Sequence, residues 1–166
     1  MKKHIFCTIV LFSSWFATPA RAADGVYIGL QGGHVGLSGG TFQSGLGFGG
    51  DLGFVVGPVV DLVFKSQVSS HDGAGGMTLW SNTLSADFHV GNFYDVDLAL
   101  GVGPGLYKFG SVSRFGLHGE LNTDVAVGDG WRAGLSWRYH GIMGGTANRE
   151  GSFWSVMARV GYLFEM

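Results

Sequence analysis

Two neighbouring stretches place acids, bases and cations at every second position. His118, Glu120, Asn122 and Asp124 alternate with Leu117, Gly119, Leu121 and Thr123. Arg132, Arg138 and His140 are set in the same way among Trp131, Ala133, Leu135, Trp137 and Tyr139. A spacing of two puts each set on one face of an extended strand. With Gly128-Asp129-Gly130 as a turn, residues 115–140 read as one long hairpin, polar on one side and apolar on the other. Pairing Val127 with Trp131 sets Glu120 opposite Arg138 and His118 opposite His140. Pairing Val56 with Val60 sets Asp51 opposite Lys65, and pairing Val90 with Val96 sets His89 opposite Asp97. Directly opposed side chains have Cβ atoms about 5 Å apart, within reach of an ion pair. A charge removed from water is tolerated when it is paired. These six residues are therefore expected to close three internal ion pairs, with a gated ion path through them as the alternative.

Other chemistry is weaker. Histidines 34, 71, 89, 118 and 140 raise the question of a metal, and His118 and His140 are close enough to share an ion. Two imidazoles without a thiolate or carboxylate fall short of the four ligands of structural zinc, so no metal and no cofactor is expected. Gly45-Leu46-Gly47-Phe48-Gly49-Gly50 matches G-x-G-x-x-G. A dinucleotide fingerprint opens a helix, whereas here a strand pattern continues, so the match is accidental. Arg138-Tyr139-His140-Gly141-Ile142-Met143 is similar to the R-Y-x-H-x-S stretch of eight-stranded lipid A deacylases. Laid on without gaps, it puts Gly141 in the catalytic histidine slot and Met143 in the nucleophile slot. A serine nucleophile needs a base within hydrogen-bond reach. His140 with Ser152 or Ser155 would be a displaced version that the spacing does not compel, and the chain is expected not to be an enzyme.

The elements that must carry these residues repeat the same alternation. Val26, Ile28 and Leu30 face out in a first strand, Gly25 to Gly33, followed by a loop at His34 to Thr41. A second strand, Phe42 to Val56, sets Leu46, Phe48, Leu52, Phe54 and Val56 against inward Gly45, Gly47, Gly49, Asp51 and Gly53. After the turn Gly57-Pro58-Val59, a third sets Val60, Leu62, Phe64 and Val68 against Asp61, Val63, Lys65 and Gln67, and a loop is expected at Ser69 to Gly76. Met77 to Val90 carries Trp80, Leu84, Ala86, Phe88 and Val90 outward over Thr83, Ser85, Asp87 and His89. A turn at Gly91 to Asp95 leads to a strand with Val96, Leu98, Leu100, Val102 and Leu106 outward, and Pro104 there predicts a bulge. A loop near Phe109 to Ser113 precedes the hairpin, a loop at Gly141 to Gly151 follows it, and Ser152 to Phe164 is the last strand. Arms of about ten residues suit a tilted strand crossing a bilayer. The pattern predicts an all-β fold: an up-and-down, eight-stranded antiparallel transmembrane β-barrel, apolar side to lipid and charged side to the lumen.

Composition agrees with this class. The 166 residues are 46% hydrophobic and 13% charged, with 31 Gly and 3 Pro. Gly is costly in helices, by about 1 kcal/mol per position, and the apolar content never gathers into one long run. Lys2 and Lys3, the apolar run Ile5 to Phe16 and Ala20-Arg21-Ala22 read as a secretory signal over residues 1–22, cleaved after Ala22, leaving a barrel domain over residues 23–166. The single cysteine, Cys7, leaves with it, which excludes disulfides and thiol chemistry from the remainder. Without Lys2, Lys3 and Arg21, the balance of 10 Lys+Arg against 12 Asp+Glu becomes about −5, the wrong sign for a nucleic-acid binder.

The signal, the eight amphipathic strands and a last strand ending Gly161-Tyr162-Leu163-Phe164 together resemble the small outer-membrane β-barrel family. That family includes the outer-membrane protein A transmembrane domain and the opacity-type surface proteins. The family's last strand normally ends on the aromatic residue, whereas Glu165 and Met166 follow Phe164 here. The short turns at 57–59, 91–95 and 128–130 fall on the same side as both termini, which in such a barrel is the periplasm. Trp80, Tyr139 and Trp154 then lie toward the outer interface and Phe93, Tyr94, Trp131, Tyr162 and Phe164 toward the inner one, as two aromatic girdles. The resemblance implies a monomer integral to the bacterial outer membrane, with outer-membrane lipid and the barrel-assembly machinery as partners. Its expected role is non-enzymatic, structural or surface-interacting, with a charge-plugged lumen. A lipid A-modifying enzyme and a small-conductance channel are the alternatives.

Overall fold

The computed structural model describes residues 25–38, 43–73, 76–144 and 151–166; the signal expected over residues 1–22 lies outside them. Eight strands follow one another: β1 (Gly25–Leu37), β2 (Gly45–Val55), β3 (Val60–His71), β4 (Met77–Phe93), β5 (Val96–Phe109), β6 (Val112–Ala126), β7 (Trp131–Ile142) and β8 (Phe153–Glu165). Each pairs antiparallel with its chain neighbour, and β1 pairs with β8 from Gly25↔Glu165 to Leu37↔Phe153, closing the barrel. Closure leaves no unpaired edge, the condition for backbone to lie in hydrocarbon.

Burial alternates along every strand, and its sense is the reverse of a water-soluble core. Leu30, Phe48 and Leu106, at 69%, 63% and 62% exposed, stand on the outside, while Lys65, Glu120 and Arg138 are buried within. Such an exterior is stable in a solvent as apolar as itself, and a barrel of eight strands is just wide enough for inward side chains to fill.

The ends of the strands differ from the sequence expectation: β2 is shorter, Gly45–Val55 in place of Phe42 to Val56, and others run longer. β1 runs on through His34 to Leu37, and β3 through Ser69 to His71, so neither segment begins the loop expected of it. Both extensions are small, polar or glycine-rich, yet each has a neighbouring strand to bond, and a paired backbone stays extended. The β5–β6 connection is not a loop but the two residues Gly110 and Ser111 between Phe109 and Val112, with Gly110 at φ +59°. The 91–95 turn also shrinks to two residues. Tyr94 and Asp95 both take positive φ, 48° and 67°, as a primed hairpin turn demands, though neither is glycine. Pro104 makes no bulge against β6, where it faces Leu117 in unbroken register. The register shift falls instead between His89 and Gly91 of β4.

Candidate functional site

The barrel interior is a stack of three layers. Its middle is one continuous polar network. Arg138 donates from Nε to Glu120 Oε2 at 2.8 Å and to Ser136 Oγ at 2.9 Å, and from a terminal nitrogen to Gln31 Oε1 at 2.5 Å. Gln31 passes the chain on, donating to Asp51 Oδ1 at 2.8 Å. On the other side Lys65 donates to Glu120 Oε1 and, at 3.1 Å, to Asp87 Oδ2, which also accepts from Asn122 at 3.0 Å. Ser85 bonds both carboxylates. Side chains from β1, β2, β3, β4, β6 and β7 meet here. The β5 contribution is an absence: a Cβ on Gly101 would collide with the Asp87 and Glu120 carboxylates.

Of the three opposed pairs, Glu120 with Arg138 is in contact, directly across β6–β7. His89 and Asp97 meet at 2.9 Å, but by a different route. The bulge in β4 puts Ala99 opposite His89, and the ring reaches Asp97 on one side and Asp61, at 3.0 Å, on the other. The Asp51–Lys65 ion pair does not form, although the two face each other in register. Gln31 holds Asp51, and the long Lys65 side chain turns to the two carboxylates arriving from β4 and β6. A cation with two acceptors across the lumen is better compensated than one with a single neighbour beside it.

The periplasm-side layer of the expected orientation contains the His89 pairs and Arg159, which bonds Asp124 at 3.0 Å and lies 5.5 Å from the Tyr27 ring centroid. A cavity of about 20 Å³ separates these groups from Asp87, room for about one water. Through the lower two layers Lys65, Arg132, Arg138 and Arg159 stand against Asp51, Asp61, Asp87, Asp97, Glu120 and Asp124, an excess of acid.

The third layer was not legible as a site in the sequence. Val35, Leu79, Tyr107, Phe109 and Phe153 pack together inside the opposite end as an apolar plug. Beside it Ser69 Oγ lies 2.9 Å from His71 Nε2, and His71 Nδ1 lies 3.1 Å from the Gln43 carbonyl. The parity of Gln67, Ser69 and His71 was the available signal; their loop-like composition hid it. His140 lies below the plug, stacked on Phe153 at 4.1 Å, with Tyr107 Oη 3.1 Å from its Nδ1. Its strand partner on β8 is Phe153, and Ser155 faces Arg138 instead. No hydrogen bond links His140 to a serine among the described residues; His140 and Ser155 are buried and Ser152 is half-buried.

The aromatic residues take the outer surface. Trp80, Trp131, Tyr139 and Phe164 are exposed there, and Trp154 and Tyr162 are half-buried. Trp131, Tyr162 and Phe164 form one cluster near the chain ends, with ring centroids 5.4 and 4.7 Å apart, while Tyr139 pairs with Trp154 near the opposite rim.

No family model matches the chain, and no curated protein matches its sequence. Among solved structures the chain is similar to Neisserial surface protein A, with a TM-score of 0.64 and 17% identity over 84% of this chain and 98% of that one. It is similar to the outer membrane protein OprG of Pseudomonas aeruginosa (TM-score 0.58, 16% identity, 88% and 98% covered). It is also similar to Ail, the attachment invasion locus protein of Yersinia pestis (0.55, 14%, 85% and 97%). The chain has the fold of the small eight-stranded outer-membrane barrels.

Proposed function

We propose that this chain is an integral outer-membrane protein with a sealed lumen, non-enzymatic, acting as a structural element of the membrane or through its outer surface. The observation that carries the reading is the filled interior: an ionic network joining six strands, capped by an apolar plug. An open pore keeps a continuous water path, and the cavity lined by Tyr27, Asp87, His89 and Arg159 has room for about one water. Catalysis needs a nucleophile and base that substrate can reach, and the inward histidines and serines are enclosed. The termini and the turns at 57–59, 94–95 and 128–130 share one end, which supports periplasmic termini with the opposite rim outside. Similarity to Neisserial surface protein A and to Ail, an attachment invasion locus protein, supports a role at that rim. Lipid and, during insertion, the barrel-assembly machinery are its partners, and the barrel works as a monomer.

Two measurements test this. Lipid A from cells with and without the protein is compared by mass spectrometry, and identical acyl chains are expected; a lost chain would make it a deacylase. Purified protein in planar bilayers is expected to give small, infrequent openings, and steady large conductance would make it a channel.

A further inference from the structure

Ser66 and Asn82 interrupt the apolar outer wall. They face each other across β3–β4 in the outward parity, both half-buried, and the Ser66 hydroxyl donates to Asn82 Oδ1 at 2.9 Å. The outward pairs on either side of them are Phe64 with Leu84 and Val68 with Trp80, and the residue opposite Asn82 on β5 is Leu106. Hydrocarbon offers an amide no partner. The bond to Ser66 occupies the amide oxygen and leaves the N–H donors of Asn82 to the lipid side.

Depth decides what meets that amide. Trp80 and Lys108 are exposed and stand opposite each other across β4–β5, two residues short of the Gly110–Ser111 turn on the Lys108 strand. In the orientation proposed above this end is the outer one, and Trp rings there lie at headgroup level. Asn82 is two residues further in, about 6.6 Å along the strand and about 5 Å along the membrane normal at a tilt of about 40°. That is the level at which headgroups give way to acyl chains through ester and amide carbonyls.

We propose that Lys108, Trp80, Asn82 and Ser66 form a site on the outer wall for one molecule of a phosphorylated glycolipid with hydroxylated acyl chains, the chemistry of lipid A. The site deepens the reading above and rests on its orientation. From the rim inward, the Lys108 ammonium is a compact positive charge suited to phosphate, and the Trp80 ring offers a flat apolar face to a sugar. The Asn82 amide donates to an acyl carbonyl. Ser66 Oγ, its proton given to Asn82, accepts from an acyl-chain hydroxyl. Phe64, Leu84 and Leu106, all exposed, meet the chains below. A glycerophospholipid shares the phosphate and the carbonyls but has no sugar for Trp80 and no acyl hydroxyl for Ser66.

The test uses the whole barrel, folded in detergent and titrated with lipid A, with dephosphorylated lipid A and with phosphatidylglycerol, the bound lipids being counted by native mass spectrometry. One lipid A per barrel is expected, bound more tightly than phosphatidylglycerol. Lys108→Gln should weaken lipid A about fivefold and leave the dephosphorylated form unaffected. Asn82→Leu should weaken both forms about fivefold without loss of folding, since leucine suits a lipid-facing wall. Retained heat-modifiable migration shows that each variant is folded, and Tyr139→Phe, on the far wall, should bind as the parent does. Phosphatidylglycerol binding as tightly as lipid A, or both site variants binding as the parent does, would overturn the site and leave the sealed barrel standing. Ser111→Cys, in the exposed β5–β6 turn, should react with a membrane-impermeant maleimide on intact cells; failure to react would overturn the orientation and the site together.

Discussion

Glu120 is the residue on which the interior turns, because it accepts from Lys65 and Arg138 at once. Removing its carboxylate strands Arg138 in a low-dielectric interior and leaves Lys65 with Asp87 alone, whereas removing Asp51 deprives only a neutral amide of its acceptor. Glu120→Ala is therefore expected to cost about 3–5 kcal/mol, and Asp51→Ala about 1–3 kcal/mol, read from urea unfolding of the refolded barrel. Combining Glu120→Ala with Arg138→Ala should cost less than the two single changes added together, since the second removes a charge that the first had orphaned. Equal costs for Glu120→Ala and Asp51→Ala would mean that the network is not organised around Glu120.

At the scale of elements, the two-residue turn between β4 and β5 is the least comfortable piece of backbone. Tyr94 and Asp95 both hold positive φ, and Tyr94 is none of the glycine, asparagine or aspartate that such turns select. Tyr94→Asn with Asp95→Gly should stabilise the barrel by about 1 kcal/mol. A loss of stability would show that the Tyr94 ring, 4.5 Å from Phe93, matters more than the strain. The strands themselves are sorted by solvent. Leu100, half exposed on the outer face between Leu121 and Phe88, should not tolerate charge. Leu100→Arg is expected to cost about 2–4 kcal/mol near the midplane and to lower the fraction inserted into vesicles. Normal insertion would place this face away from lipid.

For the whole molecule, the proposed closure of the lumen would rest on two barriers in series that differ in kind. The apolar cluster around Phe153 would exclude ions by lacking water, and the network around Glu120 would exclude them by occupying the bore. Phe153→Ala alone should leave the planar-bilayer trace quiet, because the network still fills the path. Phe153→Ala with Glu120→Ala should produce resolved openings. If the single change already conducts steadily, the network is no barrier and the plug alone closes the barrel.

Which way each strand residue points was decided by sequence. A strand with lipid on one side and polar contents on the other must alternate with period two, and the positions of Leu117, Glu120, Leu121 and Arg138 carry that alternation without reference to any partner. From it follow the number of strands, the up-and-down order and the identity of the inward charges. The pairing of those charges was decided by tertiary structure. Register alone sets Asp51 against Lys65, yet Lys65 bonds Glu120, 55 residues away, because closing β1 on β8 brings β3 and β6 face to face across a bore that Gly101 leaves open. Closure on β8 gave the glycine-rich end of β1 a partner as far as Leu37, and β2 and β4 gave the serine-rich end of β3 its own, so segments with the composition of loops became strand and carried Val35 and His71 into the interior. Local pattern encodes a face; only the closed barrel determines what stands across from it.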